Sequence, residues 1–218
     1  LGPFEIRYYG LLFGLGFVDD YLLFKQFFKA AKLHLELLDK LTILTIFATI
    51  IGARLGHCLF YEPEYYLRNP LEILKIWKGG LASHGAAIGI PLGIYLFSRK
   101  YKMNFFWIID RIVVAVAITG AFVRLGNLMN SEIYGGATSM PWGFRFIENM
   151  YMWRRGGEPI YSAPSHPTQI YEALFCFLLF GLLYWAYRQR PLWLQRKGLF
   201  FGIFLAATFV FRFFIEFI

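Results

Sequence analysis

Six apolar runs divide this chain of 218 residues. Each is long enough to cross a bilayer, which takes about 20 mostly apolar residues in a helix. They cover roughly 8–24, 41–61, 81–98, 105–129, 168–187 and 198–218. A chain built this way is read as all-α, a polytopic membrane helical bundle with six visible spans. Composition agrees: 58% of residues are hydrophobic and only 17% are charged, against about 25% charged in an ordinary soluble domain. Residues 1–218 are expected to form a single transmembrane domain. The 130–167 gap, with Pro141, Gly143, Gly156, Gly157 and Pro159, reads as a small cap inserted between spans four and five.

The gaps between the runs differ in charge. Residues 25–40 carry Lys25, Lys29, Lys32 and Lys40, residues 99–102 carry Arg99, Lys100 and Lys102, and residues 188–197 carry Arg188, Arg190, Arg196 and Lys197. The gaps at 62–80 and 130–167 balance their basic residues with acidic ones. Lysine and arginine concentrate on the cytoplasmic side of membrane proteins, so the first three gaps are placed in the cytoplasm and the N-terminus outside. The net charge of +8 is therefore spread over alternating gaps. A nucleic-acid partner would need it gathered on one soluble face, so none is expected.

With that orientation, polar residues embedded in the runs fall in the outer half of the membrane. "VRLGNLMNSEIYGG" brings Arg124, Asn127, Asn130 and Glu132 to the outer end of span four. "GARLGHCLFYE" brings Arg54 and His57, and "GGLASHGAAIG" brings His84. "SAPSHPTQIYEA" contributes His166, Gln169, Tyr171 and Glu172, and "FRFFIEFI" contributes Arg212 and Glu216. The basic residues inside the runs or at their edges are all arginines: Arg7, Arg54, Arg111, Arg124 and Arg212. Charge in a membrane costs at least ~2.5–3.5 kcal/mol per residue, which makes such residues functional candidates by default. Arginine stays charged in low dielectric and offers a planar fork to phosphate or carboxylate. Arg7 and Arg111 are assigned to snorkelling or structural pairing. Arg54 is open to either reading, and Arg124 and Arg212 are assigned to function.

Spacing adds shared faces. Arg124, Asn127 and Asn130 follow a three-residue step along one helical stripe, as do His166, Gln169 and Glu172. Arg212 and Glu216, four apart, can pair. Asn130 and Gln169 are also of the type that bonds helices together, and the glycines at 79, 80, 85, 89 and 93 permit close packing of span three. "PLEILKIWKGG" predicts a short interfacial helix. Asp19 and Asp20 lie within span one, near its cytoplasmic end, with no partner evident in the sequence. Cys58 and Cys176 sit in apolar runs and read as small buried hydrophobes. The first run lacks the flanks of a cleavable signal peptide. The chain starts at Leu1, so further N-terminal residues are expected.

Taken together, "RYYG", "GARLGHCLFYE", "GGLASHGAAIG", "VRLGNLMNSEIYG", "HPTQIYEA" and "FVFRFFIEF" resemble, in order and spacing, the motifs of bacterial prolipoprotein diacylglyceryl transferases. The resemblance runs from Tyr9 to Glu216. It implies an enzyme of the bacterial inner membrane with its site facing the periplasm. The implied reaction moves the diacylglyceryl group of phosphatidylglycerol onto the cysteine thiol of a prolipoprotein signal peptide. The products would be a thioether and glycerol phosphate. Carried over by position, Tyr9, His84, Arg124, Asn127, Glu132, Gly135 and Arg212 match residues that the family treats as functional.

The implied catalytic set is His84, Arg124, Arg212 and Tyr9. Phosphatidylglycerol would be held by Arg124, Asn127, Glu132, Gly135, Arg212, Glu216, Arg54 and His166. His84 is read either as the base or as a structural histidine. No cofactor and no metal are called for. The resemblance also implies a seventh span and a further arginine beyond Ile218, whose absence is expected to reflect truncation, and apolar residues where Asp19 and Asp20 stand.

From the residues alone, an outward-facing anion or lipid transporter could also own an arginine-lined site, although the internal repeats common in transporters are missing. A protease is disfavoured by the lack of HExxH and of Gly-x-Ser-x-Gly.

Overall fold

The structure, a computed structural model, describes residues 8–76, 79–189 and 192–218. Arg7, Arg190 and Lys78, the last a basic residue of the 62–80 gap, lie outside the described residues. Long helices coincide with the six apolar runs: α1 (Tyr8–Ala30), α2 (Leu35–Phe60), α4 (Ser83–Tyr101), α5 (Phe105–Met129), α7 (Thr168–Gln189) and α8 (Leu199–Ile215). Short helices α3 (Pro63–Arg68) and α6 (Met150–Trp153) lie in the two charge-balanced gaps. By length and composition, α2, α5 and α7 can each cross a membrane. Their outer surfaces fit lipid. Leu174, Leu178 and Leu182 of α7 form an exposed stripe at four-residue spacing, and Ile43, Phe47, Ile51, Leu55 and Leu59 do the same on α2.

Packing divides the chain into two units, one made of Leu1–Phe24 and Asp110–Ile218 and the other of Lys25–Ile109. In the second unit α2 and α4 approach at a line of small residues. A methyl group on Gly85 would come within 2.2 Å of the Gly52 carbonyl oxygen, and one on Gly89 within 2.5 Å of the Ala48 carbonyl oxygen. Where no hydrophobic force separates helix from lipid, such close approach is what van der Waals packing between helices requires. The same unit shows why α1 outruns its predicted end: Phe27 and Phe28 are fully buried, so six further residues gain from staying helical.

Of the short helix expected over 70–80, residues 77–78 lie outside the described ones, and the structure forms a five-residue 3-10 turn over Pro70–Leu74. The cause is Arg54, buried at 3% exposure. Its Nη2 donates to the Glu72 carbonyl at 2.6 Å and its Nε to the Ile73 carbonyl at 2.8 Å. Those carbonyls would have accepted the next turn of an α-helix. Arg54 Nη1 donates further to the carbonyls of Gly79 at 2.6 Å and Gly80 at 3.2 Å, and its guanidinium lies over the Tyr66 ring.

In the first unit, two carboxylates inside apolar helices find partners far along the chain. Asp20, which the sequence left unpaired, accepts a 2.8 Å hydrogen bond from Thr119 Oγ1 on α5. Asp110, buried at 3% exposure, accepts from the backbone N–H groups of Gly198 at 2.8 Å and Phe201 at 2.9 Å. It thereby caps α8 from another helix, satisfying N–H groups that a helix start leaves unpaired. Arg111 stacks its guanidinium over Tyr187, in keeping with the structural role expected of it.

Candidate functional site

The outer end of α5 carries Arg124 and Asn127 on one stripe, and α7 and α8 bring Glu172 and Arg212 to it. Arg124 Nε is ion-paired with Glu172 Oε2, and Arg212 Nη1 donates to Glu172 Oε1. One carboxylate thus joins two guanidinium groups from two other helices. The Glu172 side chain is 5% exposed, whereas those of Arg124 and Arg212 are 25% and 39% exposed. The carboxylate is therefore the floor of the cluster and the arginines are its open side. Among the described residues no further ion pair or hydrogen bond reaches Arg124, so its two terminal nitrogens are available to an anion. Arg212 Nη2 also donates to Glu216 at 3.1 Å, the helical pair foreseen from their spacing. Glu216 is 75% exposed and lies at the outer margin of the cluster.

Beside the arginines stands a second carboxylate, Glu132. It accepts from Asn127 Nδ2 at 3.0 Å and from Asn130 Nδ2 at 3.1 Å. Its backbone is clasped as well: Gln169, fully buried, donates Nε2 to the Glu132 carbonyl at 2.9 Å, and Thr168 Oγ1 donates to the Ile133 carbonyl at 3.1 Å. Ser131 and Ile133, on either side of Glu132, have φ of 54° and 60°. For a β-branched residue that region is strained, at a cost of about 1–3 kcal/mol, and strain of this kind gathers at functional sites. Gly135 follows directly. A Cβ there would lie 2.7 Å from Thr168 Cγ2 and 3.0 Å from His166 Cβ, so no larger residue fits.

His166 is fixed by backbone bonds to this loop, with Gly135 N–H donating to its carbonyl and its own N–H donating to that of Gly136. Its Nδ1 lies 3.3 Å from the Tyr171 hydroxyl. Tyr9 on α1 lays its ring against Gly126, where an added Cβ would meet Tyr9 Cδ2 at 2.7 Å. That seats the tyrosine between Arg124 and Asn127 along α5. The 130–167 segment adds Arg154, whose Nη2 donates to Asn130 Oδ1 at 2.8 Å. With Arg155, Glu148 and Tyr151 it lines a polar cavity of about 520 Å³ that also touches Glu132.

The first unit therefore brings together Tyr9, Arg124, Asn127, Glu132, Gly135, His166, Arg212 and Glu216. Arg54 and His84 belong to the second unit. There Arg54 is committed to four backbone carbonyls, and one of them, from Gly80, lies in the loop that leads into α4. His84 sits exposed in the first turn of α4, its ring against Phe60 and Tyr61. Glu172 is visible in the sequence as an outward polar residue but is not among the binding residues expected there. The available signal was an acid embedded in an apolar run, which seldom occurs without a cationic partner.

A family profile described as prolipoprotein diacylglyceryl transferase matches residues 1–218. A phosphatidylglycerol–prolipoprotein diacylglyceryl transferase of Tolumonas auensis is 44% identical over 218 residues, covering all of this chain and 80% of the relative. One from Porphyromonas gingivalis is 44% identical over 213 residues, covering 97% of this chain and 75% of the relative. One from Chloroherpeton thalassium is 41% identical over 218 residues, covering all of this chain and 77% of the relative.

Proposed function

The chain belongs to the prolipoprotein diacylglyceryl transferase family, and from that premise we propose that its two outer arginines form the receptor for the phosphate of its lipid donor. The activity is transfer of the diacylglyceryl group of phosphatidylglycerol to a prolipoprotein cysteine thiol, the first step of lipoprotein maturation. Membership does not favour the anion or lipid transporter. The observation that carries the proposal is the convergence of Arg124 and Arg212, from α5 and α8, on the single carboxylate of Glu172.

The reaction asks for such a receptor. The thiolate sulfur must attack the glyceryl carbon that bears the phosphate ester. As that carbon–oxygen bond breaks, its electron pair leaves with glycerol phosphate. Negative charge therefore gathers on the phosphate in the transition state, where a fixed donor is worth about 2.7–4 kcal/mol. Arg124 offers its free terminal nitrogens, and Arg212 reaches in from another helix. Asn127 on the Arg124 stripe, and Glu132 bonded to it from the following loop, suit the glycerol hydroxyls, with Tyr9, Gly135 and His166 shaping the wall. Glu216 tunes Arg212.

Arg54 we assign to holding the 72–80 loop rather than to the lipid, because its donors are already engaged. A free thiol titrates near ~8.5, so only a minority is thiolate at neutral pH. We assign His84 the task of accepting its proton.

The chain is a membrane protein. Its alternating gap charges support six spans in the bacterial inner membrane, the arginine cluster facing the periplasm, and 130–167 as a periplasmic cap in a single transmembrane domain. Its partners on this reading are phosphatidylglycerol, prolipoprotein signal peptides and the surrounding lipid. The test supplies the purified protein with phosphatidylglycerol and a lipobox peptide. The peptide should gain the mass of one diacylglyceryl group, and Arg124→Lys and Arg212→Lys should each slow this by roughly 10²–10³, because lysine keeps the charge but loses the fork. Normal turnover in both lysine variants would sink the phosphate receptor.

A further inference from the structure

We propose that Glu172 is the counter-ion that expels the leaving group, matching the arginine pair in charge to the phosphodiester substrate and mismatching it to the phosphate monoester product. The inference rests on the phosphate-receptor reading above and goes one step past it.

Two guanidinium groups and one carboxylate leave a single net positive charge at the heart of the cluster. Glu172 is fixed in that count because it is buried and uses both oxygens, one for each arginine. Glu216, 75% exposed at the outer margin of Arg212, can only lower that count and so deepen the mismatch to a doubly charged product. Glu132 bonds to Asn127 and Asn130 rather than to either arginine. A phosphodiester carries one negative charge, so phosphatidylglycerol balances the cluster.

Transfer changes the ledger. The sulfur–carbon bond forms, the carbon–oxygen bond breaks, and the electron pair goes to the phosphate oxygen. The thiol proton leaves through the base to water. A phosphate monoester carries about −1.5 to −2 at pH 7, with its second proton lost near pH ~6. Glycerol phosphate therefore overfills a cluster of net charge +1, and the carboxylate oxygens compete with it for the same N–H groups. Without the Glu172 charge the cluster would be doubly positive. It would then suit the product better than the substrate, and release would slow.

Three features argue that this is more than structural glue. The carboxylate contacts the very groups assigned to the phosphate. It lies beneath them, so it can keep one edge of each guanidinium while the other faces the ligand. It is also buried, where the attraction between opposite charges is several times that in water.

The test measures inhibition of transfer by two soluble mimics, glycerol phosphate (a monoester) and glycerophosphoglycerol (a diester), at a pH above 7. In the wild-type protein the diester should inhibit the more strongly. In Glu172→Gln, which keeps shape and removes the charge, glycerol phosphate should become the stronger inhibitor. Its inhibition constant should fall at least about tenfold, and turnover at saturating lipid should fall because release limits it. Glu172→Asp, which restores the charge, should restore the diester preference even where it lowers the rate.

A Glu172→Gln protein that is merely slower, with the two inhibition constants in their wild-type order, would overturn the proposal. So would stronger inhibition of the wild type by the monoester, a result that needs no variant to fold. Neither outcome touches the receptor itself, which fails separately if Arg124→Lys and Arg212→Lys transfer normally.

Discussion

Replacing Gly85 by alanine tests how the α2–α4 contact carries the start of α4, and with it His84. The new methyl carbon would stand 2.2 Å from the Gly52 carbonyl oxygen, 2.7 Å from Gly56 Cα and 3.0 Å from the Gly52 carbonyl carbon. Non-bonded carbon atoms settle at about 3.5–4.0 Å. All three struck atoms are backbone and cannot rotate aside, so the helices must part by about 1 Å. Overpacking of this kind costs about 1–3 kcal/mol, occasionally more, and here the upper part of that range is expected.

Gly181 on α7 is the control, since nothing lies within 4 Å of its position. Alanine there should gain about 0.5–1 kcal/mol from reduced backbone entropy. At about 2–4 °C per kcal/mol for a chain of this size, the two variants should separate by roughly 5–16 °C in thermal unfolding in detergent. Gly85→Ala should also lose turnover at temperatures where it remains folded, because His84 is its neighbour. If the two variants melted together and Gly85→Ala turned over normally, the tight crossing and its role in placing His84 would both be refuted.

Other consequences can be checked in parallel. Asp110→Ala strands two N–H groups at the start of α8, at about 1–3 kcal/mol each. It should lower stability by roughly 2–6 kcal/mol, with Asp110→Asn losing about half as much; unfolding curves decide, and an unchanged midpoint refutes the cap. His84→Gln should slow transfer most at low pH and recover partly as pH rises toward ~8.5, where the thiol ionises unaided. An equal loss at every pH would make His84 a positioning residue. Single cysteines placed at Arg155 and Arg196 should react with an impermeant thiol reagent from outside the cell at the first and not at the second. The reverse pattern would invert the topology.

What could be read from the sequence was whatever is local or repetitive. Apolar runs gave the long helices to within six residues, and charge alternation proposes an orientation for them that the cysteine labelling tests. The four-residue spacing of Arg212 and Glu216 gave a pair that the structure contains. The choice of arginine over lysine inside the runs pointed to the cluster that α5 and α8 form.

Pairing across distance was not legible. Asp20 and Thr119 are 99 residues apart and Asp110 and Gly198 are 88 apart, and no periodicity links them. Glu172 was seen, yet its joining of two arginines depends on how three helices meet. The 70–80 segment has helical periodicity, but a buried arginine from α2 takes the carbonyls that a helix would need. Arg54 illustrates the limit: its type and place fit a lipid ligand, and the four backbone carbonyls it bonds could not be read from the sequence.

The central claim is that Arg124 and Arg212 act as one receptor for a single phosphate. Calorimetric titration of a short-chain phosphatidylglycerol into the wild type, Arg124→Lys, Arg212→Lys and the double variant tests it directly. Because residues that serve one ligand as a unit are non-additive, each single variant should lose nearly as much affinity as the double. Losses that simply add, or wild-type affinity in both single variants, would contradict the account.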